Sequence, residues 1–407
     1  MTKRILVVTP WKRRWEMGGT AGLADDYYFI EGFTRNGFEV HYLSPRYRGA
    51  DVSLDGYVVH TFPNFFDATD RWPVIIKRPL WPLLFALCAV VRGLGIIHRF
   101  PPSVILGQTH LSAAAVWILA RCARVPSLVK LFGVVELDRT DWPRWKYLRK
   151  NLEQILAFKT AQDAWVVLDD GTGGAAAARR HGVAPGRIHE LPNGVNLEWG
   201  ERSPEADARA RYHIPAGTAV VLLLSRLTEW KRPDLIIRAA PQILRESRRP
   251  VLFLVAGDGH LRDSCAALAA RLGVAPSVRF LGPVAHDDVP ALMSATTVFV
   301  STNERSNRGI PVCEAMVCGV PVVALDVGDT KEVVHEGDTG RLIADGDLGG
   351  FATAVAELIN DDGKRATMSR RARAFARETF TGWRERIAME LAIVAALMER
   401  AGRRGAD

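Results

Sequence analysis

The amino-acid sequence predicts an α/β protein with two consecutive domains, each built on a doubly wound parallel sheet. Its 407 residues are too many for one ordinary core and suit two domains of roughly 150–200 residues each. Short runs of Val, Ile and Leu alternate with helix-length segments along almost the whole chain, as in parallel sheets that are buried on both faces. A polar stretch without a strand pattern, 200–211, separates the two series and is the predicted linker.

The predicted strands are the short apolar runs of each series. In the first domain they are Ile5–Pro10, Phe38–Ser44, Tyr57–Phe62, Val104–Gln108, Ser127–Phe132, Ala164–Leu168 and Arg187–Leu191. In the second they are Ala219–Ser225, Val251–Ala256, Val278–Leu281, Thr297–Ser301 and Pro321–Leu325. Predicted helices include Asp234–Arg245, Leu261–Leu272 and the amphipathic Trp383–Arg400. Ligands of such sheets bind at the carboxyl ends of the strands, so we expect a site in a cleft between the domains.

Composition excludes several classes of protein. About half of the residues are apolar and about a quarter are charged, which is typical of a soluble globular chain. The five cysteines form no CxxC pair and their number is odd, so we expect reduced core residues of a cytoplasmic protein. The ten histidines form no HxH or HxxxH cluster. The sequence therefore predicts neither a disulfide framework nor a metal centre.

The net charge of +8 suits nucleic acid, anionic lipid or phosphorylated substrates as partners. No nucleic-acid-binding motif is present, so the last two are favoured. The apolar run after Met1 is too short for a signal peptide and is interpreted as the first strand.

One segment, Trp72–Arg92, has two interpretations. Its uncharged run, Pro79–Val91, is shorter than the ~20 residues that span a bilayer. Basic residues and tryptophans flank this run, as in helices that lie in the membrane interface. The alternative is a helix that packs on the first sheet and has a basic outer face.

Two cations follow the first strand of the second domain. Arg226 comes directly after the predicted strand and Lys231 lies five residues further on, close to the start of a helix. Helix N-termini attract anions through their free N–H groups and their dipole, so these residues form a candidate diphosphate pocket. The alternative is a solvated basic loop.

A second candidate region combines a glycine turn with a loop that enters a short helix. The turn, Gly257-Asp-Gly259, is a weak signal by itself. After the strand that ends at Ser301, the loop Asn307–Ile310 offers N–H groups at a helix start to a second phosphate. Glu314, one turn into this helix, can accept hydrogen bonds from ribose hydroxyls. The alternative for Glu314 is a surface glutamate that the helix dipole favours.

These pieces, in this order, resemble the retaining GT-B glycosyltransferases of family four over nearly the whole chain. The segments that carry the resemblance most firmly are Ser225–Lys231, 255–282, the run Glu314-Ala-Met-Val-Cys-Gly-Val-Pro-Val-Val323, Glu336–Gly340 and Leu191–Asn196. The resemblance implies two Rossmann-like domains that face a central cleft. Residues 1–197 would bind the acceptor, 212–382 would bind the nucleotide-sugar donor, and helix 383–400 would pack back on the first domain.

The resemblance also assigns roles to residues. Arg226 and Lys231 would hold the donor diphosphate and neutralise the leaving group, and His110 would contact the transferred sugar. The residues expected to bind the donor are Gly18, Gly19, Gly257, Ser306, Asn307, Gly309, Ile310 and Glu314.

Two departures from the family pattern stand out. Ser306 occupies the position of the first glutamate of the E-x7-E motif, which holds donor-sugar hydroxyls, and Glu304 lies two residues early. Phe132-Gly133 stands where a His-Gly pair is common. The acidic and aromatic stretch that follows, 136–142, is expected either to shape the acceptor pocket or to be a surface loop.

The activity implied is transfer, with retained anomeric configuration, from a nucleotide-diphosphate sugar to a hydroxyl of a sugar, a lipid-linked sugar or a small molecule. It would need no metal or cofactor and would serve bacterial glycan or glycoconjugate biosynthesis. We expect a cytoplasmic protein that contacts the inner face of the plasma membrane through Trp72–Arg92 and the basic loop Trp11–Trp15. The alternatives are a sugar-nucleotide epimerase of the same fold and, because of Ser306, an inactive donor-binding subunit.

Overall fold

The computed structural model describes residues 3–10, 24–46, 57–63, 74–133, 142–201, 205–306 and 308–404. The chain divides into two compact units. The first unit contains the described residues up to Pro192 together with 384–404, and the second contains the described residues from Asn193 to Trp383. Each unit is a parallel sheet covered by helices, so the predicted α/β fold class is confirmed.

The first unit has a seven-stranded sheet in the order β3-β2-β1-β4-β5-β6-β7, and every pairing is parallel. Its strands are β1 Lys3–Val8, β2 Phe38–Pro45, β3 Tyr57–Phe62, β4 Val104–Gln108, β5 Ser127–Leu131, β6 Ala164–Asp169 and β7 Ile188–Pro192. Its helices are α1 Ala24–Arg35, α2 Val74–Arg99, α3 Ala113–Ala123, α4 Arg144–Phe158 and α5 Gly174–Arg180, joined by a helix from the end of the chain, α13 Trp383–Arg404.

The second unit has a six-stranded parallel sheet in the order β10-β9-β8-β11-β12-β13. Its strands are β8 Ala219–Leu224, β9 Val251–Ala256, β10 Val278–Gly282, β11 Val298–Ser301, β12 Val322–Leu325 and β13 Gly340–Ile343. Its helices are α6 Glu205–Arg211, α7 Asp234–Glu246, α8 Arg262–Arg271, α9 Val289–Ser294, α10 Ile310–Val317, α11 Leu348–Asn360 and α12 Asp362–Thr379.

Helix α13 belongs to the core of the first unit. Its Ile387 and Val394 pack in one buried cluster with Ile5 and Val7 of β1. Its Glu390 also pairs with Lys130, a fully buried cation on β5 that pairs with Asp25 of α1 as well. Because a buried charge must be paired, this network fixes where α13 and α1 lie on the sheet.

The observed elements differ from the prediction at three places. Residues 205–211 of the predicted linker form α6, whose Ala208 is buried against the second sheet, and the unit boundary falls at 192/193. Strand β13 was not predicted, because four residues that include an arginine are too short to show a period. Helix α2 continues seven residues past the predicted end at Arg92, since a single arginine does not interrupt a helix.

Candidate functional site

The two predicted cations lie together at the carboxyl end of β8, in the second unit. Arg226 follows the strand by two residues, and Lys231 ends a short 3₁₀ turn, Glu229–Lys231, that precedes α7. The Arg226 guanidinium forms no ion pair with any residue that the structure describes. Partial desolvation lowers its pKa below the usual value, but a guanidinium stays charged at neutral pH. This edge of the sheet therefore offers positive charge to an anion.

The indole of Trp230 lies beside both cations. Its ring centroid is 5.1 Å from Cζ of Arg226 and 4.4 Å from Nζ of Lys231. Both distances are within the ~6 Å at which the negative face of an aromatic ring attracts a cation. The sequence analysis assigned no role to this tryptophan.

The glycine turn after β9 supports the loop that carries Arg226. A Cβ atom on Gly257 would lie 1.9 Å from the carbonyl oxygen of Ser225, and Gly257 has a φ of +120°. The Leu227 amide donates to the carbonyl of Asp258 over 2.9 Å. Only a glycine permits this approach of two backbone segments. The structure thus gives Gly257 a supporting role for the cation loop, and its contact with a donor stays a prediction.

A cavity at the carboxyl ends of β8 and β11 brings three of the predicted residues together. Lys231, Ser306 and Gly309 line it, along with Thr302 and Asn303. The hydroxyl of Thr302 donates to the carbonyl of Lys231 over 2.7 Å, and the Asn303 amide donates to the carbonyl of Ser306 over 2.6 Å. The loop after β11 and the cation loop are therefore fastened to each other around this cavity.

Helix α10 begins at Ile310, directly after Gly309, with Pro311 in its first turn. The N-cap Gly309 has no side chain to cap the helix, Pro311 has no N–H, and the Val312 and Cys313 amides donate to the Gly309 carbonyl over 3.0 and 3.3 Å. Among the described residues of the first turn, this leaves the Ile310 amide to meet an anion. The predicted donor residue Asn307 lies outside the described residues.

Ser306 is buried, and its hydroxyl accepts a hydrogen bond from the Arg308 amide over 3.2 Å. The carboxylate of Glu304, two residues earlier, is half exposed and lies 3.8 Å from Nε of Arg305. Position 306 thus supplies a hydroxyl where the family pattern has a carboxylate.

Glu314 is a buried and neutral acid. Its side chain is only 4% exposed, and burial raises its pKa to about 8. Its Oε1 atom has no hydrogen-bond partner among the described residues and lies 4.0 Å from Nδ1 of His286. Burial lowers the pKa of His286 to about 4, so both groups are neutral at pH 7 and form no ion pair. This burial excludes the alternative in which Glu314 is a surface glutamate, and its contact with a ribose stays a prediction.

His286 was missed by the sequence analysis. Its Nε2 lies 3.2 Å from Nδ2 of Asn196, and its ring centroid is 4.7 Å from that of Trp199. Asn196 ends the segment Leu191–Asn196, which carries part of the family resemblance, but no local signal in the sequence connects it with position 286.

His110 lies in the first unit, in a 3₁₀ turn after β4. Its Nε2 is 4.0 Å from Glu153, and burial lowers its pKa to about 4, so it is neutral at pH 7. The preceding residue, Thr109, has φ 69° and ψ 163°, a conformation that is almost confined to glycine. Strain of this kind at a strand end is a common companion of functional sites, so His110 remains a candidate.

A second polar group lies at the same edge of the first sheet. Asp170 follows β6, and its Oδ1 accepts hydrogen bonds from the amide (3.0 Å) and hydroxyl (2.6 Å) of Thr172. Burial raises the pKa of its carboxyl group. A Cβ on Gly133 would lie 2.5 Å from Asp170 Oδ2, so the chain after β5 approaches this carboxylate closely. Asp170 lies two residues after the predicted strand Ala164–Leu168, and this position is the sequence signal from which it could have been identified.

Several predictions fall outside the described residues. They concern Gly18, Gly19, the loop Trp11–Trp15 and the acidic part of 136–142. Within the described ranges, no three His, Cys, Asp or Glu side chains are grouped as a metal would require.

Two family models match the chain. Residues 27–199 match the model described as Glycosyltransferase Family 4, and residues 205–375 match the one described as Glycosyl transferases group 1. D-inositol 3-phosphate glycosyltransferase 1 of Catenulispora acidiphila is 32% identical over 227 residues, which cover 54% of each chain. A GDP-mannose-dependent alpha-(1-6)-phosphatidylinositol monomannoside mannosyltransferase of Mycolicibacterium smegmatis is 33% identical over 49% of this chain and 54% of its own. The matched region thus spans about half the length of these relatives.

The fold is shared with solved structures. Anabaena HepE in complex with UDP and glucose superposes with a TM-score of 0.70 at 23% identity, over 96% of this chain and 99% of its own. At that level of identity the likeness shows the fold, which is GT-B.

Proposed function

This chain belongs to the glycosyltransferases of family four, and we propose that it moves a sugar from a nucleotide-diphosphate donor to a hydroxyl acceptor with retention of anomeric configuration. The observation that carries the proposal is the pair Arg226 and Lys231, which share one aromatic ring beside a cavity lined by Lys231. The relatives above supply the donor class by analogy, since one is GDP-mannose-dependent and HepE binds UDP.

In the proposed reaction the bond between the anomeric carbon and the diphosphate oxygen breaks, and the acceptor oxygen attacks the same face of the sugar. The diphosphate gains negative charge as it leaves, and it takes the proton of the acceptor hydroxyl. Arg226, Lys231 and the Ile310 amide at the start of α10 stabilise this charge, so we propose that no metal or cofactor takes part. Glu314 would accept hydrogen bonds from ribose hydroxyls of the donor.

The first test is a thermal-shift screen with several nucleotide sugars, because a ligand at 100 times its Kd adds about 2.7 kcal/mol of stability. The hit then serves in transfer assays. Arg226→Ala and Lys231→Ala should fold normally and lose roughly a hundred- to thousandfold in turnover, since each removes a preorganised partner of the transition-state charge.

Arg232→Ala is the matched control. Its guanidinium pairs with Asp345 and not with the Trp230 ring, so transfer should be unchanged. Equal damage from all three substitutions would mean that the loop is only a basic patch. Release of free nucleotide without an acceptor would identify an epimerase, and donor binding without either reaction would identify an inactive subunit.

We also propose that the first unit contacts the cytoplasmic face of a membrane. Of the twelve large apolar side chains that are exposed in the described part of the chain, five lie on α2 and four on α4. They repeat every three or four residues and form one stripe on each helix: Leu80, Leu83, Leu87, Val91 and Leu94 on α2, and Trp145, Leu148, Leu152 and Leu156 on α4. An exposed apolar surface of this extent is typical of an interaction site.

Both stripes belong to helices on the same face of the first sheet. Phe85 of α2 and Phe158 of α4 pack in one buried cluster with Val129 of β5. Helix α2 contains no Asp or Glu, and Arg92 and Arg144 are exposed on the two helices, so an anionic bilayer is the matching partner. The stretch Leu80–Arg99 is also long and apolar enough to cross a membrane. Core helices of soluble proteins can have the same length and composition. A membrane-bound acceptor, such as a lipid-linked sugar, would suit this placement.

Flotation with phosphatidylcholine vesicles, with and without phosphatidylglycerol, tests the contact. Binding should need the anionic lipid at low salt and should fall in Leu83→Ser/Leu87→Ser and in Trp145→Ser. Leu272→Ser, which removes an exposed leucine of the second unit, is the control. Absence of binding by the unmodified protein would reject the membrane contact and favour a soluble acceptor.

A further inference from the structure

The ring of Trp230 lies close to two positively charged side chains. Arg226 and Lys231 both lie within 6 Å of its ring centroid. The two charges repel each other, and Arg226 has no carboxylate partner among the described residues. The negative face of the indole attracts both side chains.

The backbone of Trp230 is also tied to the loop after β11. Its carbonyl accepts a hydrogen bond from the Glu304 amide over 3.1 Å, and the next carbonyl, that of Lys231, accepts one from Thr302. Thr302 is buried, so this link is shielded from water. The loop that carries the cations and the loop that carries Ser306 therefore meet at Trp230.

We propose that Trp230 is a positioning residue that holds Arg226 and Lys231 in the geometry that receives the donor diphosphate. The inference rests on the proposed function and adds to it a residue that supports the reaction without touching the reacting atoms. An aromatic ring keeps two like charges close together when no anion is bound, which is the preorganisation that charge stabilisation in a transition state needs. Because the ring is neutral, it does not compete with the diphosphate for the two cations, as a carboxylate would.

The experiment compares Trp230→Phe, which retains an aromatic face, with Trp230→Leu, which retains only apolar bulk. Inorganic pyrophosphate in metal-free buffer is the probe, since it contacts the cation loop whichever base and sugar the donor carries. We expect Trp230→Phe to bind pyrophosphate within threefold of the unmodified protein. Trp230→Leu should bind it roughly ten- to thirtyfold more weakly and lose at least as much in kcat. The KM for the acceptor should not change.

Tyr212→Leu is the matched control, because the Tyr212 ring lies 5.9 Å from the Arg211 guanidinium in the same unit and lines no part of the cavity. A double substitution, Arg226→Ala/Trp230→Leu, separates positioning from bulk packing. Relative to Arg226→Ala alone it should lose clearly less than Trp230→Leu loses relative to the unmodified protein, because the ring has then lost one of the two cations on which it acts. Fully additive losses, or equal losses in Trp230→Phe and Trp230→Leu, would overturn the inference.

The same series distinguishes the two proposals. If Arg226→Ala and Lys231→Ala leave pyrophosphate binding intact, the diphosphate site itself is wrong. If those two lose binding while Trp230→Leu keeps it, only the role of Trp230 is wrong. Should Trp230→Leu fail to fold, Trp230→Met takes its place, because its unbranched and flexible side chain adapts better to the space that the indole leaves.

Discussion

Glu314→Gln should remove a large part of the pH dependence of stability. Burial raises the pKa of Glu314 from its usual 4.5 to about 8. Below pH 4.5 the folded and unfolded states both hold the proton, and Glu314 has no effect on the pH dependence. Between pH 4.5 and 8 only the folded state holds it, so stability falls as pH rises, by about 1.4 kcal/mol per unit. The whole loss is about 5 kcal/mol and is complete above pH 8.

Glutamine has nearly the same shape as the protonated acid and carries no titrating group. Urea unfolding followed by circular dichroism at pH 5, 7 and 9 measures the difference between the two proteins. We expect Glu314→Gln to match the unmodified protein at pH 5 and to be more stable by several kcal/mol at pH 9. The NH₂ group of a glutamine cannot accept a hydrogen bond, whereas a carboxyl group offers two oxygens to the ribose hydroxyls, so the affinity of Glu314→Gln for the donor should be lower at every pH.

Glu357→Gln is the control with the opposite sign. Lys364 and Arg341 lower the pKa of Glu357, so its stabilising effect is present at neutral pH and is lost as pH falls. Its replacement should therefore destabilise the protein at pH 7 and change little in acid. If the difference between Glu314→Gln and the unmodified protein is the same at pH 5 and pH 9, Glu314 does not carry a raised pKa and the reasoning fails.

Three further outcomes are expected. Gly257→Ala should lower Tm by several degrees and slow transfer, because its Cβ would overlap the Ser225 carbonyl. Gly273 also has a positive φ but has open space around it, so Gly273→Ala should cost only the backbone strain of about 1 kcal/mol, and equal losses in the two variants would contradict this packing. Thr109→Gly should leave Tm unchanged or raise it, since glycine accepts the φ of 69° without the strain of ~1–3 kcal/mol; a clear drop would show that Thr109 is not strained. Transfer should persist in EDTA, and activity that vanishes there and returns with Mg²⁺ or Mn²⁺ would refute a metal-independent reaction.

Most of the fold could be predicted because strands of a parallel sheet are buried on both faces. Runs such as Val251–Ala256 are then apolar at every position, so they can be recognised as strands without any alternation of apolar and polar residues. The same rule explains the failures. Strand β13 is too short to show a run, and Ala208 is the one buried side chain among residues 208–211 of α6, whose sequence has the composition of a linker. The chain passes from the first unit to the second at 192/193, where the composition of the sequence gives no signal.

The candidate site divides in a similar way. Arg226, Lys231 and Glu314 could be identified because they follow strands or begin helices, and chain order alone places such residues at the carboxyl edge of a sheet. Trp230 is adjacent to Lys231 in sequence, but its contact with Arg226 depends on the path of a loop. The proximity of Asn196 to His286 joins residues ninety positions apart, which only the folded chain brings together.

Glu314 shows how a magnitude decides between two interpretations. From the sequence, a glutamate in the first turns of a helix is explained by the helix dipole, which stabilises a surface carboxylate by 0.3–1 kcal/mol, or roughly half a pKa unit in the downward direction. Burial acts in the other direction and is several times larger, since it moves the pKa upward to about 8. The dipole effect is therefore outweighed, and what remains is a neutral acid whose Oε1 has no hydrogen-bond partner in the described part of the chain. Above pH 5 such a group lowers the stability of the ligand-free protein, and a ligand that donates a hydrogen bond to it restores that stability. Glu314 is therefore better placed to bind a donor than to stabilise a helix.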